Sequence, residues 1–171
     1  MSQGSVVKKR RVLVVCSGNS ARSQIAEALI RHEAGDLFEV SSAGTHPALV
    51  HMEAVVVMQE LGIDISAQRS KPLSEFEGVK FDFVITVCDN AREACPVWPG
   101  QPMIAHWGSP DPALAEGTEE EKYRVFVNVA SQVARRVELF CAFPDEKLFD
   151  AVAVRAVGEE AKLEGEAAMK R

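Results

Sequence analysis

The chain has 171 residues, 47% apolar and 26% charged, with a net charge of −6. That fits one soluble domain with a real core, and the acidity excludes bulk attraction of anions and non-specific nucleic-acid binding. No stretch is long or apolar enough to span a membrane, and the N-terminus lacks a signal-peptide core, so a cytoplasmic protein is expected. Structural disulfides are rare there, which leaves Cys16, Cys88, Cys95 and Cys141 as candidates for catalysis, redox exchange, metal binding or plain burial.

Residues 1–10 are polar and read as a flexible flank, with a basic cluster at Lys8, Lys9, Arg10 and Arg11 that reads as solvated surface. A first strand is predicted over residues 11–15, from the run Val12-Leu13-Val14-Val15, and a first helix over 22–33. Between them stands Cys16-Ser-Gly-Asn-Ser-Ala-Arg-Ser23, a cysteine at a strand end followed by a small-residue loop. Backbone N–H groups of such a loop, with a helix N-terminus behind them, form a concave anion site. Ser17, Gly18, Asn19, Ser20 and Ala21 line that cradle, and Arg22 adds a planar fork for two oxygens of a tetrahedral anion. The same positive surroundings lower a thiol's pKa, so Cys16 is expected to be largely thiolate near neutral pH. A nucleophile at the bottom of an oxyanion cradle points to attack on the central atom of a phosphate-like group.

A short second strand over 37–41 leads into the turn-rich loop 42–47, which should lie beside Cys16, with Ser42 bonding Asn19. A second helix is predicted over 50–61, an extended piece over 63–66, and a connection over 72–78 with a helical turn. Residues 81–87 form a strong third strand ending in Cys88. Residues 103–107 form a fourth, followed by the stiff loop Gly108-Ser-Pro-Asp-Pro112. Thr118 caps a long last helix that runs to about residue 140, broken by Pro144. Residues 144–171 form a helical or mobile tail with no catalytic signal. Strands separated by helices imply an α/β fold: a single three-layer domain over 11–143, a four-stranded parallel sheet with helices on both faces.

Cys16, Cys88 and Asp111 each follow a predicted strand, so a parallel sheet brings all three to one edge. Asp111, between two prolines, is suited to protonate a departing oxygen. Cys88 and Cys95 would lie roughly 10 Å apart on a helix, whereas a disulfide needs roughly 4.4–6.8 Å between Cα atoms. A bond between them therefore needs this segment to be a loop or to unwind, and the expectation is a short helix in the reduced form that loops out on oxidation. Metal binding competes with this reading, without a Cys-x-x-Cys or a histidine at zinc spacing to support it. Cys141 reads as a packed thiol.

The Cys16–Ser23 stretch resembles the phosphate loop of the low-molecular-weight protein tyrosine phosphatase superfamily. Ser42-Ala-Gly-Thr-His-Pro47, Val87-Cys-Asp-Asn-Ala-Arg-Glu-Ala-Cys-Pro96 and His106-Trp-Gly-Ser-Pro-Asp-Pro112 narrow it to that superfamily's thioredoxin-coupled arsenate reductases. The resemblance covers residues 11–141. It implies that Cys16 attacks arsenate held by the loop and Arg22, that Asp111 acts as acid, and that Ser23 supports the thiolate. It further implies a 16–88 disulfide as arsenite leaves, then an 88–95 disulfide opened by thioredoxin. A monomer without tightly bound cofactor is expected, with a potassium ion near Asn19, Glu27 and Ser42 carried over from some relatives. Ala21 departs from the pattern, many relatives having a cysteine there outside the relay. The alternatives are a tyrosine phosphatase, for which an aromatic after the Asp-Pro pair is missing at Ala113, and a non-catalytic oxyanion sensor that signals by disulfide formation.

Overall fold

The computed structural model describes residues 8–94, 98–143 and Val157. The expectations for residues 1–7, for Cys95 and for the tail from 144 onward, Val157 apart, lie outside the described residues. Among the described residues four strands, β1 (Arg10–Cys16), β2 (Phe38–Gly44), β3 (Phe83–Thr86) and β4 (Met103–His106), alternate with four helices, α1 (Arg22–Ala34), α2 (Met52–Glu60), α3 (Asp89–Ala94) and α4 (Glu119–Cys141). The strands form one parallel sheet in the order β2-β1-β3-β4. Val12, Leu13, Val14 and Val15 are all fully buried although successive side chains point to opposite faces, so the sheet is covered on both sides.

Two boundaries differ from the sequence reading for a physical reason. β2 runs on to Gly44, because Ser41, Ser42 and Ala43 stay in register with Leu13, Val14 and Val15 of β1. The polar Ser42 is tolerated inside the sheet because its hydroxyl is bonded on both sides, as described below. β3 is shorter than expected, and the chain after it turns at once into α3, a helix of only six residues.

α4 is the longest element, and its start is fixed by a capping box: the Thr118 hydroxyl accepts from the Glu121 N–H while Glu121 accepts from the Thr118 N–H. Its Phe140 packs on Phe38, Phe83 and Trp107, with ring centroids 5.2, 5.4 and 5.6 Å away. This aromatic cluster ties α4 to β2, to β3 and to the residue that follows β4. Truncating Phe140 to alanine should cost about 3–5 kcal/mol, the usual cost of removing a buried aromatic.

The strand order reverses direction at β1, from which the chain steps to β2 on one side and later to β3 on the other. In open α/β sheets ligands bind outside the C-terminal ends of the strands at such a point. Cys16 is the last residue of β1, and Cys88 lies two residues beyond the end of β3.

Candidate active site

Residues 17–21 turn sharply between β1 and α1. Asn19 takes a positive φ of 46°, a conformation that asparagine tolerates better than most side chains. What shapes the turn is where its carbonyls go. Those of Cys16, Ser17, Gly18 and Ser20 accept from the N–H groups of Thr45, His46, Ala48 and His51 at 3.1, 2.8, 2.8 and 2.8 Å. The Gly18 carbonyl also takes the Ser70 hydroxyl at 2.8 Å, and the Asn19 carbonyl takes Gln24 Nε2 at 3.0 Å. With the carbonyls drawn outward, the loop's peptide N–H groups are left for the concave side, where the Asn19 N–H points at Cys16 Sγ from 3.0 Å. The N-terminus of α1 carries no side-chain cap at Ala21, which leaves its first amides for an anion.

The strap over the loop requires a glycine at 44. A Cβ there would stand 2.6 Å from the Ser17 carbonyl oxygen and 3.0 Å from the Asn19 backbone nitrogen. Only a residue without a side chain lets β2 pass so close to the loop.

Asn19 is the buried hub of the site. Its Nδ2 donates to Ser23 Oγ at 2.7 Å and to Ser42 Oγ at 2.9 Å. Its Oδ1 accepts from Gln24 Nε2 at 3.0 Å and from the Lys71 N–H at 2.9 Å. Ser42 in turn donates to Glu27 Oε2 at 2.8 Å, and Ser23 Oγ lies 2.9 Å from Cys16 Sγ. The expected Ser42–Asn19 bond and the Ser23–Cys16 contact are therefore both present.

Burial at Cys16 runs against one expectation. Its side chain is 2% exposed, and burial pushes the thiol above its ordinary range. The Ser23 hydroxyl, the Arg22 charge and the Asn19 N–H pull in the opposite direction but do not outweigh it. The positive loop was visible in the sequence, but the depth of the sulfur beneath it was not. Cys141 is also pushed up by burial, to about 12, as suits a packed thiol.

Arg22 is nearly buried and reaches across the mouth of the loop. Its Nη1 donates to the Ser109 carbonyl at 2.8 Å, and its Nη2 lies 3.5 Å from Asp111 Oδ2. Asp111 Oδ1 accepts from the Ala113 N–H at 3.0 Å, which pins the carboxylate at the start of a 3₁₀ turn. From behind, the buried Arg136 of α4 donates to the Trp107 carbonyl at 3.2 Å and steadies the same loop. Sequence reasoning missed Arg136, which reads there as an ordinary helix residue.

Cys88 is buried, free, and 3.4 Å from the Ser17 hydroxyl, so the second sulfur adjoins the lip of the cradle. The Ala91 N–H points at its sulfur from 3.4 Å. Beyond it α3 is tethered lightly: Thr86 Oγ1 pairs with His106 Nδ1 at 2.8 Å, and His106 Nε2 with Asp89 Oδ1 at 3.0 Å. The structure thus brings Cys16, Arg22, Cys88 and Asp111 to one edge and leaves Cys95 outside the described residues. Gln24, Gln68, Ser70 and Lys71 also support the site without any local signal in the sequence, and His106, part of a motif singled out there, supports it without having been given a role.

A cleft of about 440 Å³ opens beside the loop, lined by Ser17, Thr45, His46, Asn90, Glu93 and Ala94. None of these six is a phenylalanine, tyrosine or tryptophan.

A thiol at the floor of a loop whose amides face inward defines a phosphatase-like protein that handles tetrahedral oxyanions. Residues 11–147 match the low molecular weight phosphotyrosine protein phosphatase family, and the chain belongs to that family. Within it, the chain is 41% identical over 134 residues to the arsenate reductase of Halalkalibacterium halodurans, covering 78% of this chain and 96% of that one. Among solved structures it resembles an arsenate reductase in the oxidized state, with a TM-score of 0.68 and 34% identity over 78% of this chain and 97% of the other. It also resembles a thioredoxin-dependent arsenate reductase of Corynebacterium glutamicum, with a TM-score of 0.56 and 31% identity over 78% of this chain and 64% of that one.

Proposed function

We propose that the chain reduces arsenate to arsenite in the cytoplasm, with Cys16 as nucleophile and thioredoxin as the final electron donor. The observation that carries this reading is the second buried free thiol, Cys88, 3.4 Å from Ser17 beside the first. Hydrolysis of a phosphate ester needs one sulfur, whereas a two-electron reduction needs a sulfur that can attack the first. The 41% identical arsenate reductase supports the same choice.

In the first step the Cys16 thiolate attacks arsenic(V) held by the loop amides and Arg22. An oxygen leaves as water after taking a proton from Asp111, and a sulfur–arsenic bond remains. Asp111 stands across the loop mouth, held by Arg22 and the Ala113 N–H. Next the Cys88 thiolate attacks Cys16 Sγ. A 16–88 disulfide forms, the sulfur–arsenic electron pair passes to arsenic, and arsenite departs. Cys95 then attacks Cys88, which frees Cys16 as a thiolate and leaves an 88–95 disulfide. A dithiol carrier of the thioredoxin type reduces that bond, so two electrons enter for each arsenate. α3 is helical while Cys88 is free, and the last exchange requires it to unwind.

A side reaction is favoured by the same cradle, since phosphate and arsenate are both tetrahedral oxyanions: slow hydrolysis of aryl phosphates. The cleft beside the loop argues against phosphotyrosine as the main substrate, because none of its six lining residues is a phenylalanine, tyrosine or tryptophan that would wall an aryl ring and Glu93 adds negative charge.

The test is NADPH consumption with thioredoxin and thioredoxin reductase, with and without arsenate. Arsenate-dependent oxidation is expected, lost in Cys16→Ser. Cys88→Ala and Cys95→Ala should stop multiple turnover while sparing aryl-phosphate cleavage. Full arsenate reduction by either of the last two would overturn the relay.

A further inference from the structure

The family resemblance carries an expectation of a potassium ion near Asn19, Glu27 and Ser42, and the residues present do not fit one. Asn19 Oδ1 already accepts from Gln24 Nε2 and from the Lys71 N–H. The latter, a backbone donor, fixes which end of the amide is oxygen, so Asn19 turns its NH₂ toward Ser42. Ser42 accepts that bond and gives its own proton to Glu27. Glu27 is the buried carboxylate beneath the loop. Its Oε1 takes Arg31 Nη2 at 3.0 Å, and its Oε2 has Gln68 Nε2 at 3.4 Å and Lys71 Nζ at 3.9 Å. Lys71 Nζ also donates to the Arg69 carbonyl at 3.1 Å. A carbonyl and a carboxylate are the oxygens a hard monovalent cation would use, and an ammonium stands between them.

We propose that the Lys71 ammonium is a tethered counter-ion for Glu27, standing in for a bound potassium ion, so that the oxyanion loop is held without added cation. The proposal rests on the reading of the 16–22 loop as the reacting site. Of the two cations on Glu27, the Arg31 side chain is 51% exposed and the Lys71 side chain 12%. Salt screens the first far more than the second. A buried carboxylate left without its partner is costly, and its charge lies two hydrogen bonds from Asn19, the hub of the loop. Lys71 is thus a positioning residue. Its side chain balances Glu27 while its backbone N–H, which a substitution keeps, still bonds Asn19.

The experiment compares wild type, Lys71→Met and the double variant Lys71→Met/Glu27→Gln in potassium chloride and in tetramethylammonium chloride at equal ionic strength. The readout is the rate of Cys16 alkylation by iodoacetamide, followed by peptide mass spectrometry, with the melting temperature measured in parallel. Wild type should differ by less than about 1.5-fold between the salts. Lys71→Met, which leaves the Glu27 charge uncompensated beneath the loop, should react about fivefold slower than wild type in tetramethylammonium and move back toward wild type in potassium. The double variant, with no charge left to balance, should be insensitive again. A saturable response of the wild type to potassium would overturn the proposal, as would a Lys71→Met protein with one rate in both salts. Should Lys71→Met fail to fold in tetramethylammonium yet fold in potassium, the melting temperature alone carries the same result. Failure to fold in both salts would count against it. The alkylation readout needs no arsenate turnover, so loss of the proposed activity and loss of this inference are told apart.

Discussion

The oxyanion loop and the short helix α3 lie side by side at the same sheet edge and are built in opposite ways. Every backbone carbonyl from Cys16 to Ser20 is bonded to another part of the chain, and Asn19 is buried with four hydrogen bonds from its side chain. α3 has six residues, of which only Ala91 is buried, and Asp89 is held to the fold by one histidine. Isolated helices of that length are unstable in water, so α3 persists only through its neighbours. The difference matches the two tasks proposed for them. An oxyanion cradle must not relax as charge develops in it, whereas a sulfur that hands on a disulfide must travel. Rigidity is concentrated where charge is gathered and withheld where a bond has to move.

The most severe test of that contrast is Asn19→Ala. It leaves Ser23, Ser42, Gln24 and the Lys71 N–H short of a partner, and should lower stability by about 3 kcal/mol in urea unfolding. An unchanged midpoint would mean that the loop does not depend on its hub. Asp111→Asn keeps the fold and removes the acid. It should slow the single-turnover formation of the Cys16 adduct by roughly 10²-fold in rapid-quench measurements; a normal rate would take Asp111 out of the mechanism.

The raised pKa of Cys16 gives a third test. Below that pKa the thiolate fraction rises tenfold per pH unit. Alkylation of Cys16 should therefore keep climbing past neutral pH, and a plateau below pH 7 would reject the effect of burial. Cys141 should react more slowly than a free thiol throughout. The sign for stability follows: both folded thiols hold their protons more tightly than the unfolded chain does. The fold should therefore lose stability as pH rises past the ordinary thiol value, a loss that for Cys141 extends toward about 12. The smallest effect belongs to the light tether. His106→Ala should raise hydrogen exchange in residues 89–94 by about threefold, the worth of a surface ion pair, and leave the loop amides unchanged. Equal acceleration in both regions would erase the distinction.

How much of this was legible in the sequence depended on distance along the chain. The strand, loop and helix around Cys16 could be read because β-branched residues, small residues and helical spacing follow one another within twenty positions. The common edge shared by Cys16, Cys88 and Asp111 followed from parallel topology, which strands separated by helices already imply. That the loop over 42–47 lies beside Cys16 could be read, but the bonds of the strap at 45–51 could not, because they come from backbone N–H groups that leave no trace in residue type. Lys71 and Gln68 pair with residues some forty to fifty positions away, beyond any local pattern. Burial works against the thiolate expectation for a related reason: residue types announce charge, but how deeply a sulfur sits is a property of packing.

The close passage of Gly44 over Ser17 has a practical consequence for engineering. The eight residues from Cys16 to Ser23 are not a portable cassette. Grafted onto another α/β scaffold they would arrive without the 45–51 segment that pulls their carbonyls outward, and the amides would have no reason to converge. A successful transplant must take residues 44–51 and 69–71 along with the motif, and must accept a glycine where the two segments cross.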